Sequence, residues 1–247
     1  MEKQKRIVLV TGATGGLGTA MCKKLFDDGY HVVGNYHTKE KADKWQERMK
    51  AEGFDIRLFY GDVSDFDSAG EMIATIEKEA GPVDTLVNNA GITRDGRLVN
   101  MKKEDWKAVI DTNLNSVFNC TRQVIQGMVD RKFGRIINIS SVNGQRGQFG
   151  QTNYSAAKAG MHGFTKSLAM EVAKYGVTVN TISPGYIGTD MVMAVPEKVL
   201  SQIIAQVPVG RLGGTQEVAH LVSFLASEET SFITGANYCI NGGQHVY

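Results

Sequence analysis

Short apolar runs rich in Val and Ile alternate with longer stretches of helical periodicity along nearly all of the 247 residues. Ile7–Thr11, His31–Tyr36, Asp55–Tyr60, Thr85–Asn88, Arg135–Ile139 and Val177–Thr181 read as buried strands, and Asn237–Ile240 as a seventh. Between them, Gly16–Asp28, Lys39–Glu52, Ser68–Ala80, Lys103–Asp130, Asn153–Lys174 and Gln216–Ser227 carry helical patterns. Buried strands joined through helices predict a doubly wound α/β fold: a parallel seven-stranded sheet with helices on both faces. No repeat, low-complexity segment or Pro- and Ser-rich linker interrupts the pattern, so residues 1–247 read as a single domain.

The first strand runs into Thr11-Gly12-Ala13-Thr14-Gly15-Gly16-Leu17-Gly18, which opens a helix. Glycines at this turn permit a tight reversal, close approach of the backbone to a pyrophosphate, and close helix packing. The phosphates would face the free N–H groups and positive dipole end of the helix. The context points to a dinucleotide. The second strand ends at Gly34-Asn35-Tyr36-His37-Thr38-Lys39, where an NAD enzyme usually carries an acid for the ribose 2′-OH. The first acid here is Glu40. His37, Lys39 and Lys41 could instead face a 2′-phosphate, with Asn35 and Thr38 as donors, so NADPH is the expected cofactor. Gly61-Asp62-Val63 follows the third strand, where Asp62 either bonds an adenine amine or serves a turn. Asn88-Asn89-Ala90-Gly91 ends the fourth, where small and amide residues let the backbone approach a bound ribose.

Ser141 follows the fifth strand, at the sheet edge where open α/β folds bind ligands. Thirteen residues on, Tyr154 and Lys158 stand four apart, which places them on one helix face a turn apart. Any long helix can carry such a pair by chance; its neighbours give it meaning. A phenol titrates near pH ~10, and an adjacent ammonium would bring it towards neutrality as a general acid/base for a carbonyl/alcohol pair. The Ser141 hydroxyl would hold the carbonyl oxygen beside it. Asn113 is a poor helix former inside a helical pattern, which suggests a local break and a held water near Lys158.

Composition excludes several other classes. With 27 Lys+Arg against 26 Asp+Glu, the near-neutral charge argues against nucleic acid or an anionic membrane as partner. Three scattered cysteines, Cys22, Cys120 and Cys239, are too few for a disulfide framework or a zinc site, so no metal is expected. The charged residues 1–6 run into an apolar stretch too short for a signal peptide, and no run approaches the ~20 residues of a membrane helix. A cytoplasmic protein is expected.

Taken together, Thr11-Gly12-x-x-x-Gly16-x-Gly18, Asn88-Asn89-Ala90-Gly91, Asn113, Ser141, Tyr154-x-x-x-Lys158 and Pro184-Gly185 resemble the short-chain dehydrogenase/reductase family over the whole chain. The resemblance implies a Rossmann-type fold, a catalytic tetrad of Asn113, Ser141, Tyr154 and Lys158, and a homotetramer assembled through the two long helices. It also implies cofactor contacts from Gly12, Thr14 to Gly18, Asn35 to His37, Lys39, Lys41, Asp62, Val63, Asn89 to Gly91, Tyr154, Lys158, Pro184, Gly185 and Ile187, with Thr189 on the nicotinamide carboxamide.

Within the family, Ser140-Ser141-Val142-Asn143-Gly144-Gln145-Arg146-Gly147-Gln148-Phe149-Gly150-Gln151-Thr152-Asn153-Tyr154 is most similar to the branch that reduces acetoacetyl-CoA for polyhydroxyalkanoate synthesis. That implies an acyl-CoA substrate bordered by Asp95, Ser141, Gln148, Phe149, Gln151, Tyr154 and Tyr186. The stretch 186–214 shows little periodicity after Pro184-Gly185 and could close over the substrate as a lid, or be a long loop with a surface helix. Two rivals remain: a reductase of carrier-protein thioesters, which shares Asn89-Ala90-Gly91-Ile92-Thr93-Arg94-Asp95, and a non-catalytic NADP-binding sensor.

Overall fold

The structure is a computed structural model describing residues 5–193 and 196–246. In chain order it runs β1 (Ile7–Val10), α1 (Gly16–Asp27), β2 (His31–Tyr36), α2 (Lys39–Ala51), β3 (Arg57–Tyr60), α3 (Phe66–Glu79), β4 (Val83–Asn88), α4 (Lys103–Ile110), α5 (Ser116–Asp130), β5 (Gly134–Ile139), α6 (Asn143–Arg146), α7 (Thr152–Val172), β6 (Val177–Pro184), α8 (Asp190–Met193), α9 (Glu197–Ile204), α10 (Thr215–Ala226) and β7 (Asn237–Ile240). All seven expected strands form, in one parallel sheet of order β3-β2-β1-β4-β5-β6-β7. The order reverses between β1 and β4, which opens a crevice at the carboxyl ends of the strands.

Alternation along β1 sends Val8 and Val10 to one face and Ile7 and Leu9 to the other. Val8 and Val10 join Met21, Leu25, Trp45, Val218 and Val222 from α1, α2 and α10. Ile7 and Leu9 join Ile73, Ile76, Cys120, Val124 and Val172 from α3, α5 and α7. Both faces are therefore covered, which is why the strands read as continuous apolar runs rather than alternating ones. Arg135, at the start of β5, is 2% exposed, and its guanidinium donates to the carbonyls of Gly134, Gly176, Ser227 and Glu228. Those four acceptors meet most of its five donors, which allows a cation at a buried strand.

Several boundaries differ from expectation for local reasons. The long pattern over Lys103–Asp130 is two helices, because Asp111–Asn115 forms a single π turn around Asn113. The helix expected from Ser68 starts at Phe66, since the Asp65 side chain accepts the Ser68 N–H at 2.7 Å. The sixth strand reaches Pro184 because β7 pairs with Thr181–Pro184. Residues 194–195 of the expected lid lie outside the described residues; the rest of 186–214 contains α8 and α9. No described helix is long and apolar enough to cross a membrane.

Candidate active site

The turn after β1 is built for close approach. Gly12 has φ +63°, and a Cβ there would come to 3.0 Å from the Ala90 Cα, so the turns after β1 and β4 touch. A Cβ at Gly18 would overlap the Gly12 carbonyl oxygen. The N-cap of α1 is Gly15, with no side-chain cap bond, which leaves the first-turn N–H groups for an anion. This glycine-rich cradle at a helix N-terminus fits a dinucleotide pyrophosphate.

A cavity of about 960 Å³ runs from this turn to the end of β6. Gly12, Thr14 to Gly18 and Lys41 line one end, Asn89 to Gly91 the middle, and Ser141, Gln151, Tyr154, Lys158, Pro184 to Ile187 and Thr189 the other. Thr189 also packs on Gly16, closing the two ends on one another.

The adenosine side is sparser than the sequence suggests. Asn35, expected to donate to a 2′-phosphate, is 3% exposed: its Oδ1 accepts the Gly12 N–H at 3.3 Å and its Nδ2 donates to the Gly61 carbonyl at 2.9 Å. It braces the glycine turn from behind instead. Asp62 Oδ1 accepts from the Ser64 N–H and hydroxyl, which favours its turn role over an adenine contact. Val63 is buried in the core. Lys39 is held by Asp43 at 2.9 Å, and exposed His37 stacks on Tyr60. Of the three basic residues considered for the phosphate, Lys41 alone stands in the cavity wall; Tyr36, His37, Lys39, Asp62 and Val63 stand outside it.

At the other end, the structure brings Ser141, Tyr154 and Lys158 together. Ser141 follows the last bond of β5 and its hydroxyl stands beside the Tyr154 phenol, while its Oγ accepts the Asn143 N–H at 3.1 Å. Lys158 is 3% exposed, lies 5.6 Å from the centre of the Tyr154 ring and donates to the Ile139 carbonyl at 2.7 Å. Its own burial depresses it from 10.5 to about 7. Tyr154 is held above its ordinary value by burial, against the lowering effect of the Ser141 bond and with a further rise from Asp95. Lys158 is not among the influences that set the phenol here, since burial disfavours its own ammonium.

Asn113 is fully buried, and its amide is engaged by Ile92: Oδ1 accepts the Ile92 N–H at 2.7 Å and Nδ2 donates to the Ile92 carbonyl at 2.8 Å. A Cβ on Gly91 would meet Asn113 Oδ1 at 3.1 Å and Lys158 Nζ at 3.6 Å, so the Gly91 backbone lies between them. The amide thus clamps the loop after β4 with one lone pair and one N–H.

On the substrate side, Gln151 and Tyr186 line the cavity. Gln148 and Phe149 do not: Phe149 is 80% exposed, because the loop turns outwards between Gly147 (φ +75°) and Gly150 (φ +78°). Asp95 also stands outside the wall and accepts from Gln151 Nε2 at 2.9 Å. Thr93, Arg94, Ser140, Asn143 and Val192 line the cavity although nothing singled them out. Thr93 and Arg94 simply continue the segment that begins at Asn89.

A glycine cradle at a helix N-terminus, joined by one cavity to a Ser–Tyr–Lys cluster, defines a nucleotide-dependent oxidoreductase. The family model for short chain dehydrogenase matches residues 6–200, and the chain belongs to that family. It is therefore an oxidoreductase that works with a nicotinamide cofactor. It is 56% identical over 243 residues to an acetoacetyl-CoA reductase of Cupriavidus necator, covering 98% of this chain and 99% of that one. An acetoacetyl-CoA reductase of Shinella zoogloeoides is 54% identical, over 97% and 98%. A 3-oxoacyl-[acyl-carrier-protein] reductase of Salmonella typhimurium is 46% identical over the full length of both.

Proposed function

We propose that the chain is an NADPH-dependent reductase of acetoacetyl-CoA, giving (R)-3-hydroxybutyryl-CoA as monomer for polyhydroxybutyrate, in the cytoplasm. The observation that carries the reaction is the grouping of Ser141, Tyr154 and Lys158 in the wall of the cavity that begins at the glycine cradle. The higher identity to acetoacetyl-CoA reductases than to the carrier-protein enzyme supports the choice of thioester.

When bound, NADPH supplies a hydride to the keto carbon. Ser141 and Tyr154 hydrogen-bond the keto oxygen, and these bonds strengthen as negative charge grows there, so they favour the transition state over the ketone. Tyr154 gives its proton to that oxygen. Burial keeps the phenol protonated, which suits a proton donor. Lys158 lies beneath and would hold the ribose, regaining its charge against polar partners; Gly12, Thr14 to Gly18 and Asn89 to Gly91 would hold the pyrophosphate and ribose, with Thr189 at the nicotinamide. Tyr186 and Gln151 would border the acyl group, and 186–214 would close over it. A homotetramer through α5 and α7 is supported by the groove between them, about 580 Å³, lined by Phe118, Phe164 and Leu168, with Phe118 half exposed.

Lys41 is the proposed reader of the 2′-phosphate. Lys41→Ala is expected to raise KM for NADPH by about tenfold or more, the worth of a charge-assisted hydrogen bond, with little change for NADH. Lys39→Ala is expected to leave both near wild type, since Asp43 already holds that ammonium. Equal effects of Lys41→Ala on the two cofactors would remove it from the phosphate site. The substrate is tested by NADPH oxidation with acetoacetyl-CoA against the acetoacetyl-carrier-protein thioester at matched concentrations. Faster turnover of the CoA ester is expected; preference for the carrier protein would transfer the enzyme to fatty-acid synthesis.

A further inference from the structure

Asn143 sits two residues beyond Ser141, is 7% exposed, and forms part of the cavity wall. Its side-chain Oδ1 is closed to bulk water and has no hydrogen-bond partner among the described residues. Such an acceptor in a folded protein calls for an explanation. The surrounding bonds fix which atom is left over. Asp95, as a carboxylate, can only accept, so Gln151 must present its Nε2 to Asp95 Oδ2, at 2.9 Å. Gln151 Oε1 is then turned towards Asn143, whose Nδ2 donates to it at 3.0 Å. The carboxylate thereby sets the orientation of two amides in series, and the atom left without a partner is of necessity an acceptor.

The segment carrying this relay is tied across the cavity mouth. The Gly96 N–H donates to the Gly150 carbonyl at 2.8 Å, and Asn153 Nδ2 donates to the Arg94 carbonyl at 3.0 Å. The loop that joins Asn143 to Gln151 turns through two positive-φ glycines, Gly147 and Gly150.

An acceptor here selects a ligand with an N–H or O–H. The 3-oxoacyl group has carbonyl oxygens only. The arm that carries it, pantetheine, has an amide N–H two methylenes beyond the thioester sulfur. We propose that Asn143 is a further substrate-binding residue, its amide oxygen accepting the first amide N–H of the pantetheine arm with its orientation set by Asp95 through Gln151. The inference rests on the thioester reading above. It also gives Asp95 a positioning role in place of the direct substrate contact expected from the sequence.

The test compares kcat/KM for two truncated substrates: the N-acetylcysteamine thioester of acetoacetate, which has the amide N–H, and the chain-matched S-pentyl thioester, which lacks it. The wild type is expected to prefer the amide ester by about tenfold, in line with a buried hydrogen bond. Asn143→Ala is expected to bring the ratio close to one. Asp95→Asn, which lets both amides turn over, is expected to reduce it partly, and it serves equally if Asn143→Ala does not fold. A ratio unchanged from wild type in the variants overturns the proposal. So does a parallel fall for both esters with weakened NADPH binding, measured by cofactor fluorescence, which would assign the acceptor to the nicotinamide carboxamide. Turnover of acetoacetyl-CoA is measured alongside: its absence sinks the thioester reading and the inference together, whereas its presence with no change in ratio sinks the inference alone.

Discussion

Tyr154→Phe is expected to lower kcat by about 10³-fold or more while NADPH still binds. Positioned general acids contribute roughly 10²–10⁴-fold, and this hydroxyl would both hold the keto oxygen and protonate it. The ring that packs beside Lys158 survives the change, so the fold and the cofactor cradle are left alone. The Ser141 hydroxyl loses the neighbouring phenol oxygen but keeps the Asn143 N–H. Stopped-flow NADPH oxidation and cofactor fluorescence titration separate the two quantities. Activity within tenfold of wild type would mean another group delivers the proton.

Lys158→Met is expected to have opposite effects on activity and stability. Catalysis should fall by a factor on the order of 10² or more, because the ribose and the phenol lose their neighbour. Stability of the cofactor-free protein should rise at neutral and lower pH. The ammonium is buried against the Ile139 carbonyl, with no carboxylate beside it among the described residues, so burial depresses its folded value to about 7 from 10.5. Between those two values the unfolded chain binds more protons than the folded one, and wild-type stability therefore climbs with pH across that window. Below about pH 7 the destabilisation is complete, a few kcal/mol at ~1.4 kcal/mol per unit. For a chain of this length that corresponds to a melting temperature roughly 5–15 °C higher for Lys158→Met at pH 6, a gap that should close towards pH 10.5. Parallel melting curves against pH for the two proteins would mean that Lys158 is paired in a way the structure does not show.

The strands were legible because sheets covered on both faces demand runs of Val, Ile and Leu, which stand out without any periodicity. The π turn was legible in outline from Asn113, a residue that interrupts a helix unless something engages its amide; that something, the Ile92 backbone, lies 21 residues away and leaves no local signal. Lys39 and Lys41 could not be separated by inspection. Which of them faces the cavity depends on the rotation of α2, fixed by burying Ala42, Trp45 and Met49. Asn35 was misjudged because its face of β2 is set by the neighbouring strands and turns. Gln148 and Phe149 point away, and Gln151 inwards, through the φ values of two glycines, and the four-residue α6 that carries Asn143 is too short to show a period.

The strand order has a consequence for the making of the protein. β1, β2 and β3 are complete once the ribosome has passed Tyr60, and they can pair at once, yet the other edge of β1 belongs to β4, which ends only at Asn88. For seconds of translation, at ~5–20 residues per second, the nascent chain carries a bare strand of four buried apolar residues, Ile7 to Val10, in the interior of its future sheet. Stalling in that interval would expose a ready template for misassociation, and stalling just after β4 would pass the bare edge on to β4 until β5 emerges.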